Sequence, residues 1–352
     1  MSLTPISAVQ VLRQINAFSA VIDARSEDEF QEDHLPGAVN WPTLNNAERA
    51  KIGTLYKQVN PFEARKLGGA IAARNIATHI ERELLEQSRQ WAPLIYCWRG
   101  GQRSGSLSLI LSQIGFKVHL IEGGYKAFRA AMLQDIGHLL AQLRFRVVCG
   151  PTGSGKTRLL QALHAQGAQV IDLEALANHR SSVLGAIPGQ SQPSQKQFDT
   201  RVWDRLRHMD PSRVVYVECE SKKVGNLTVP TALVLAMRQS ACLNLQLSDA
   251  ARLALLLEDY RFMTEDVDYF CNRLGVLAPL RGAAVVQAWQ TQARQGNFSQ
   301  VVQDLLLDHY DPAYLKSIKR NFPQFETART VTPSDHSQSA MAELAEALLR
   351  EQ

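Results

Sequence analysis

The sequence predicts an α/β protein of two successive parallel-sheet domains, the second ending in a large helical region. Three observations carry this: short apolar runs alternate with helical patterns through the first two thirds of the chain, two glycine-rich loops each follow such a run, and residues 249–321 read as almost wholly helical. Strands buried on both faces, as crossover connections demand, appear as continuous apolar runs. With 352 residues, 45% hydrophobic and 20% charged, the chain can fill two ordinary cores, whereas a single core would be unusually large.

In chain order, strands are expected at residues 20–23, 94–97 and 118–121, closed by a helical pattern over 127–143 that carries Phe128, Met132, Ile136 and Leu140. The first domain is therefore expected over residues 1–140. Further strands are expected at 144–149, 168–172, 214–218 and 229–235, in a second domain spanning 141–352 with its helical extension from about 249. Residues 185–197, rich in Gly, Pro, Ser and Gln, come nearest to a linker and fall inside the second domain. A polar stretch at 330–339 precedes a last amphipathic helix.

The formal net charge of +4 permits an RNA partner without demanding one. No basic segment followed by an apolar run opens the chain, and nothing approaches the roughly 20 apolar residues of a membrane span, so a cytoplasmic protein without a membrane partner is expected. The five cysteines, Cys97, Cys149, Cys219, Cys242 and Cys271, show no C-x-x-C pair, which argues against a disulfide framework or a zinc site.

The first loop reads Cys97-Trp98-Arg99-Gly100-Gly101-Gln102-Arg103-Ser104. A cysteine at a strand end, followed by two glycines and an opening helix, has backbone N–H groups and a helix N-terminus around its sulfur. Such a cradle suits a persulfide or perselenide anion, with Arg99 and Arg103 adding positive charge. A lone cysteine is commonly a core residue, but a core cysteine has no use for the glycines and arginines that follow Cys97.

The second loop, Gly150-Pro151-Thr152-Gly153-Ser154-Gly155-Lys156-Thr157, fits G-x-x-x-x-G-K-[ST] between a strand and a helical pattern. There the N–H groups of Gly150, Thr152, Gly153, Ser154 and Gly155 can surround phosphate oxygens, Lys156 neutralises them, and Thr157 is the candidate ligand for Mg²⁺. The loop does not distinguish a nucleotide from another diphosphate. Asp172, Glu218 and Glu220, at the ends of following strands, are candidate acids or metal ligands, with solvated or Lys222-paired carboxylates as the alternative. Cys219 reads as core. Two polar stretches are candidates for a lid or for tRNA contacts: His179, Arg180 and Ser181 with Gln192 and Ser194, and then Tyr310 and Tyr314 with Arg320. Tyr310 and Tyr314 also stand at i,i+4 spacing and could simply pack on one helix face.

Four ordered motifs match a known domain: Asp23-Ala24-Arg25 with Glu29-Phe30, His34-Leu35-Pro36-Gly37-Ala38, the loop at 97–104, and Glu122-Gly123-Gly124. Over nearly all of residues 1–140 they resemble the rhodanese domain. The resemblance implies a rhodanese-like parallel sheet with flanking helices and a chalcogen-carrying Cys97, with Asp23, Arg25 and His34 mainly architectural. A rhodanese domain followed directly by a P-loop domain is similar to the bacterial tRNA 2-selenouridine synthases, with matches at Asp172-Leu173-Glu174, His179-Arg180-Ser181, Gln192-Pro193-Ser194-Gln195, Glu218-Cys219-Glu220-Ser221 and His309-Tyr310-Asp311. Ser181-Ser182 departs from that pattern, which has Gly-Ser.

What the resemblance implies is replacement of sulfur by selenium at C2 of wobble 2-thiouridine in tRNAs for lysine, glutamate and glutamine. Selenophosphate from a dedicated supplier would be the selenium donor, and geranyl diphosphate would alkylate the sulfur first. No tightly bound cofactor is expected, with Mg²⁺ as a candidate. The geranyl chain needs an apolar groove, for which Leu253, Leu255, Leu256, Phe262 and Met263 are candidates, although core packing suits most of them equally. An ATP-dependent tRNA sulfurtransferase or kinase with a rhodanese carrier is the alternative, distinguished by nucleotide turnover.

Overall fold

The computed structural model describes residues 2–351. The chain divides into two compact units, each built on its own five-stranded sheet. The first contains β1 (Ser2–Ile6), β2 (Ala20–Asp23), β3 (Ala38–Asn40), β4 (Pro93–Tyr96) and β5 (Lys117–Ile121), ordered β1-β5-β4-β2-β3 and parallel throughout. Every residue of the central β4 is buried, as a covered parallel strand requires. β1 was not anticipated, because Pro5 argues against a central strand; it lies at the sheet edge, where proline is tolerated.

This unit also includes Pro193–Asp204, which lies inside the sequence range expected for the second domain. The helix Gln195–Leu206 buries Trp203 against Phe128 edge-to-face at 5.5 Å, and the Trp203 indole donates to Asp135 at 2.9 Å. Arg129 donates to Asp199 at 2.7 Å, and the Thr200 hydroxyl donates to Asp33 at 3.0 Å. Trp203 is completely buried, so Trp203→Ala is expected to cost about 3–5 kcal/mol, read as a lowered denaturation midpoint of the full chain.

The second unit contains β6 (Arg144–Cys149), β7 (Gln169–Ile171), β8 (Val214–Glu218), the short antiparallel pair β9 (Lys223–Val224) and β10 (Leu227–Thr228), β11 (Ala241–Leu245) and β12 (Arg329–Val331). Its parallel sheet is ordered β12-β11-β6-β8-β7. Val148, Leu160, Tyr216, Leu243 and Met341 meet in its core. The expected strand at 229–235 is instead the start of a helix, Thr231–Gln239, with Pro230 at its N-cap. A short apolar run is compatible with either state by periodicity, and a proline at the threshold favours the helix. The strand follows as β11, while β12 is three residues at an edge, too short to stand out in a polar stretch. The expected helical region packs around its own cluster of Met263, Phe270, Leu274, Trp289 and Val301. Among the described residues, no helix is long and apolar enough to cross a membrane.

Candidate functional site

Each unit carries one of the glycine-rich loops. In the first, Cys97 follows β4 and is 3% exposed, and the Ser104 hydroxyl donates to its sulfur at 3.0 Å. The helix Gln102–Ile114 opens just beyond, from Gly101. The turn at 123–124 presses on the loop: the Tyr125 N–H donates to the Cys97 carbonyl at 2.8 Å, and the Lys126 N–H donates to that of Trp98 at 3.1 Å. Gly124 has φ +59°, and a Cβ there would overlap the Cys97 carbonyl and the Gly100 N–H, so only glycine allows this approach.

Arg99 is exposed. Arg103 is committed to Glu29, at 2.6 and 3.3 Å, and Glu29 also receives Arg49 at 3.0 Å. Burial opposes ionisation of Glu29, but Arg103 and Arg49 outweigh it and hold the carboxyl below its ordinary range. Beneath the loop, buried Arg25 pairs with Asp23 at 2.6 Å and donates to the Asp33 carbonyl at 2.6 Å. The His34 ring stacks on Phe30 at 4.0 Å and its Nδ1 bonds the Phe30 carbonyl at 2.8 Å.

In the second unit, residues 150–157 join β6 to the helix Lys156–Ala165. Gly155 has φ +87°, and a Cβ there would meet the Met341 methyl at 2.5 Å. The Lys156 ammonium donates to the carbonyls of Gly150 at 2.9 Å and Pro151 at 3.4 Å. Burial would lower its pKa, but Cys219, Glu218, Glu174 and Glu220 together hold it above its ordinary value. Ser154 is buried. Buried Arg252 braces the loop, donating to the Thr152 carbonyl at 2.9 and 3.0 Å while gripping Asp311 at 2.6 and 3.0 Å.

The loop opens into a cavity of about 940 Å³ that collects most of the second unit's candidate residues. Gly150, Thr152, Gly153, Gly155, Lys156 and Thr157 line it, as do Asp172, Glu218 and Glu220, then His179, Arg180 and Ser181, and finally Tyr310 and Tyr314. Asp172 is the N-cap of Leu173–Ala177 and accepts from the Ala175 N–H at 2.9 Å. Glu174, in the first turn of that helix, stands with Glu218 and Glu220 so that one oxygen from each lies within 4.8 Å of the others. Burial is the largest influence on all three and raises their pKa values, Glu220 to about 8. The Thr157 hydroxyl donates to Glu174 at 3.4 Å, the Ser181 N–H donates to Glu174 at 2.5 Å, and the Ser181 hydroxyl donates to Glu220.

Cys219 also lines this cavity rather than lying in the core. Neighbouring Cys149, with Lys156 and the Gly150 N–H, outweighs burial and brings Cys219 down to about 7. Arg180 lies over the Tyr260 ring at 4.5 Å. Gln192 is a staple, donating to the carbonyls of Ala177 and Val224 at 3.3 and 3.0 Å and accepting from the Asn226 N–H at 2.8 Å. Ser194 belongs to the first unit, where its hydroxyl accepts from the Gln197 N–H at 3.0 Å and donates to the Glu32 carbonyl. Arg320 is exposed on the helix Asp311–Asn321, whose Ser317 and Asn321 reach the cavity rim.

A family model for the tRNA 2-selenouridine synthase AAA domain matches residues 143–275, and one for the rhodanese-like domain matches residues 7–131. A tRNA 2-selenouridine synthase of Alcanivorax borkumensis is 32% identical over 327 residues, covering 84% of this chain and 88% of that one. This chain belongs to the tRNA 2-selenouridine synthase family. The Shewanella halifaxensis member is 29% identical over 365 residues, covering 96% of this chain and 97% of its own length. The Nitrosomonas europaea member is 35% identical over 252 residues, covering 70% of this chain and 65% of its own length.

Three residues with a place beside these loops were not singled out from the sequence. Glu174 lay in a segment matching the synthase family but showed no signal of its own beside Asp172. Arg252 sits in an amphipathic helix as one basic residue among many. Lys196, far from Cys97 in sequence, places its ammonium 5.7 Å from the centre of the Trp98 ring and 2.7 Å from Glu32.

Proposed function

We propose that this chain converts wobble 2-thiouridine in tRNAs for lysine, glutamate and glutamine to 2-selenouridine, using selenophosphate from a dedicated supplier and passing through an S-geranyl intermediate made from geranyl diphosphate. One observation carries the choice of donor. Beside the phosphate-loop cavity lies an apolar cavity walled by Leu184, Leu256, Met263, Phe270, Phe298 and Leu305, and Thr152, Ser182, Leu256, Tyr260 and Tyr310 line both. The apolar cavity measures about 60 Å³, room for part of a hydrocarbon chain and not for a nucleoside, so a ligand with an anionic head and an apolar tail suits the pair of cavities better than a nucleotide does. Of the groove residues expected from sequence, Leu256 and Met263 line the apolar cavity and Leu255 lines the phosphate side.

In this reading the thiouridine sulfur attacks the first carbon of the geranyl chain and the diphosphate departs into the loop, where Lys156 and the backbone N–H groups take up its charge. Sulfur doubly bonded to C2 is a poor leaving group. Once alkylated, it leaves C2 electron-poor and departs as geranyl thiol after protonation. Selenium adds to that carbon at the selenide level as the thiol departs: the P–Se bond of selenophosphate breaks, its phosphoryl group passes to the Cys97 thiolate or to water, and the exchange needs neither oxidant nor reductant. Exposed Lys316, Lys319 and Arg320, on the helix that reaches the cavity rim, suit tRNA phosphates.

Incubating tRNA bearing 2-thiouridine with geranyl diphosphate and selenophosphate, without ATP, and analysing nucleosides by mass spectrometry tests the proposal. Geranylated and selenated uridine are expected; neither product, or products only with ATP turnover, would sink it. Met263→Trp, which fills the apolar cavity, is expected to raise KM for geranyl diphosphate roughly tenfold while leaving the affinity for inorganic diphosphate unchanged.

A further inference from the structure

The phosphate-loop cavity has a charge problem. A diphosphate bound at residues 150–157 must sit near Glu174, Glu218 and Glu220. Of the cations on the cavity wall, Arg158 is paired with Asp259 at 2.6 Å, which leaves Lys156 and Arg180, the latter over the Tyr260 ring, against three carboxyl groups and the incoming anion. A loop selected only to hold a diphosphate gains nothing from three acids pointed into the same space.

A second observation concerns Glu218 alone. Its side chain is 1% exposed, and among the described residues its Oε1 has no hydrogen-bond partner. A buried carboxyl oxygen without a partner is costly, and one Glu218 oxygen lies within 4.8 Å of an oxygen from each of Glu174 and Glu220. A cation at the centre of the three groups would supply the missing partner.

We propose that Glu174, Glu218 and Glu220, with the Thr157 hydroxyl beside Glu174, bind a hard divalent cation of the magnesium or manganese class, and that this cation bridges the protein to the donor's diphosphate. The bridging half rests on the diphosphate reading above. Oxygen donors without nitrogen or sulfur favour magnesium or manganese over zinc. Ser181 fixes two of the ligands from behind, through its N–H to Glu174 and its hydroxyl to Glu220, as supporting shells do in metal sites. The same contacts tie the loop at 179–183 to the cation, so loading the metal would order the wall of the substrate cavity.

The test uses the full chain, MnCl2 and no substrate, with free Mn²⁺ followed by electron paramagnetic resonance. Saturable binding at one strong site is expected, weakened at least about tenfold in Glu218→Gln and in Glu174→Gln. Lys156→Ala should retain it. Inorganic diphosphate should bind at least about tenfold more tightly with Mn²⁺ than without. Should Glu218→Gln fail to fold, partly buried Glu174 decides through its own variant. Mn²⁺ affinity unchanged by the Glu substitutions overturns the site, and diphosphate affinity indifferent to Mn²⁺ overturns the bridge. A chain that binds Mn²⁺ and diphosphate in this linked way but transfers no geranyl group supports the metal site and counts against the donor alone.

Discussion

Cys97→Ala is expected to reduce selenium incorporation to background while geranylation of 2-thiouridine tRNA continues. On the proposed reading the Cys97 sulfur is the nucleophile, and the backbone that presents it is braced independently of the sulfur, by the Tyr125 N–H on the Cys97 carbonyl and by Gly124 in close approach. Alanine removes the sulfur and leaves that backbone in place. Nucleoside mass spectrometry on the variant should therefore show S-geranyl-2-thiouridine accumulating without 2-selenouridine. Loss of both products would contradict the division of labour between the loops, and undiminished selenation would show that selenophosphate delivers selenium without Cys97.

Lys156→Ala is expected to lower the geranylation rate by about 10²–10³-fold, roughly 3–4 kcal/mol of transition-state stabilisation. Its ammonium now rests on the carbonyls of Gly150 and Pro151, a position from which it can turn to a departing diphosphate. Negative charge grows on that group as the carbon–oxygen bond breaks, so the loss should fall on kcat rather than on KM alone. Supplying pre-geranylated tRNA should restore selenium incorporation in this variant. A geranylation rate within a few-fold of the parent would remove the loop from the chemistry.

Both loops were legible because their signals are local. A cysteine at a strand end followed by two glycines, and a G-x-x-x-x-G-K-T run between strand and helix, state their geometry within eight residues. The strands β2, β6 and β8 were legible for a similar reason, as apolar runs long enough to stand out. The run at 229–235 was not, since Pro230 turns it into a helix and the strand comes afterwards at Ala241–Leu245.

Sequence alone therefore determined the α/β character and the two glycine-rich loops that follow β4 and β6, each through the backbone preferences of neighbouring residues. Tertiary structure decided what those residues meet. Glu174 joins Glu218 and Glu220 because β7 pairs with β8, setting side by side residues 46 positions apart in sequence, Val170 with Tyr216 and Ile171 with Val217. Trp203 and Lys196 join the rhodanese-like unit because an amphipathic helix buries its apolar face wherever a matching surface stands, and that surface is the helix Gly124–Leu140. Burial and charge then act on these assemblies, and neither is a property of any one stretch of chain.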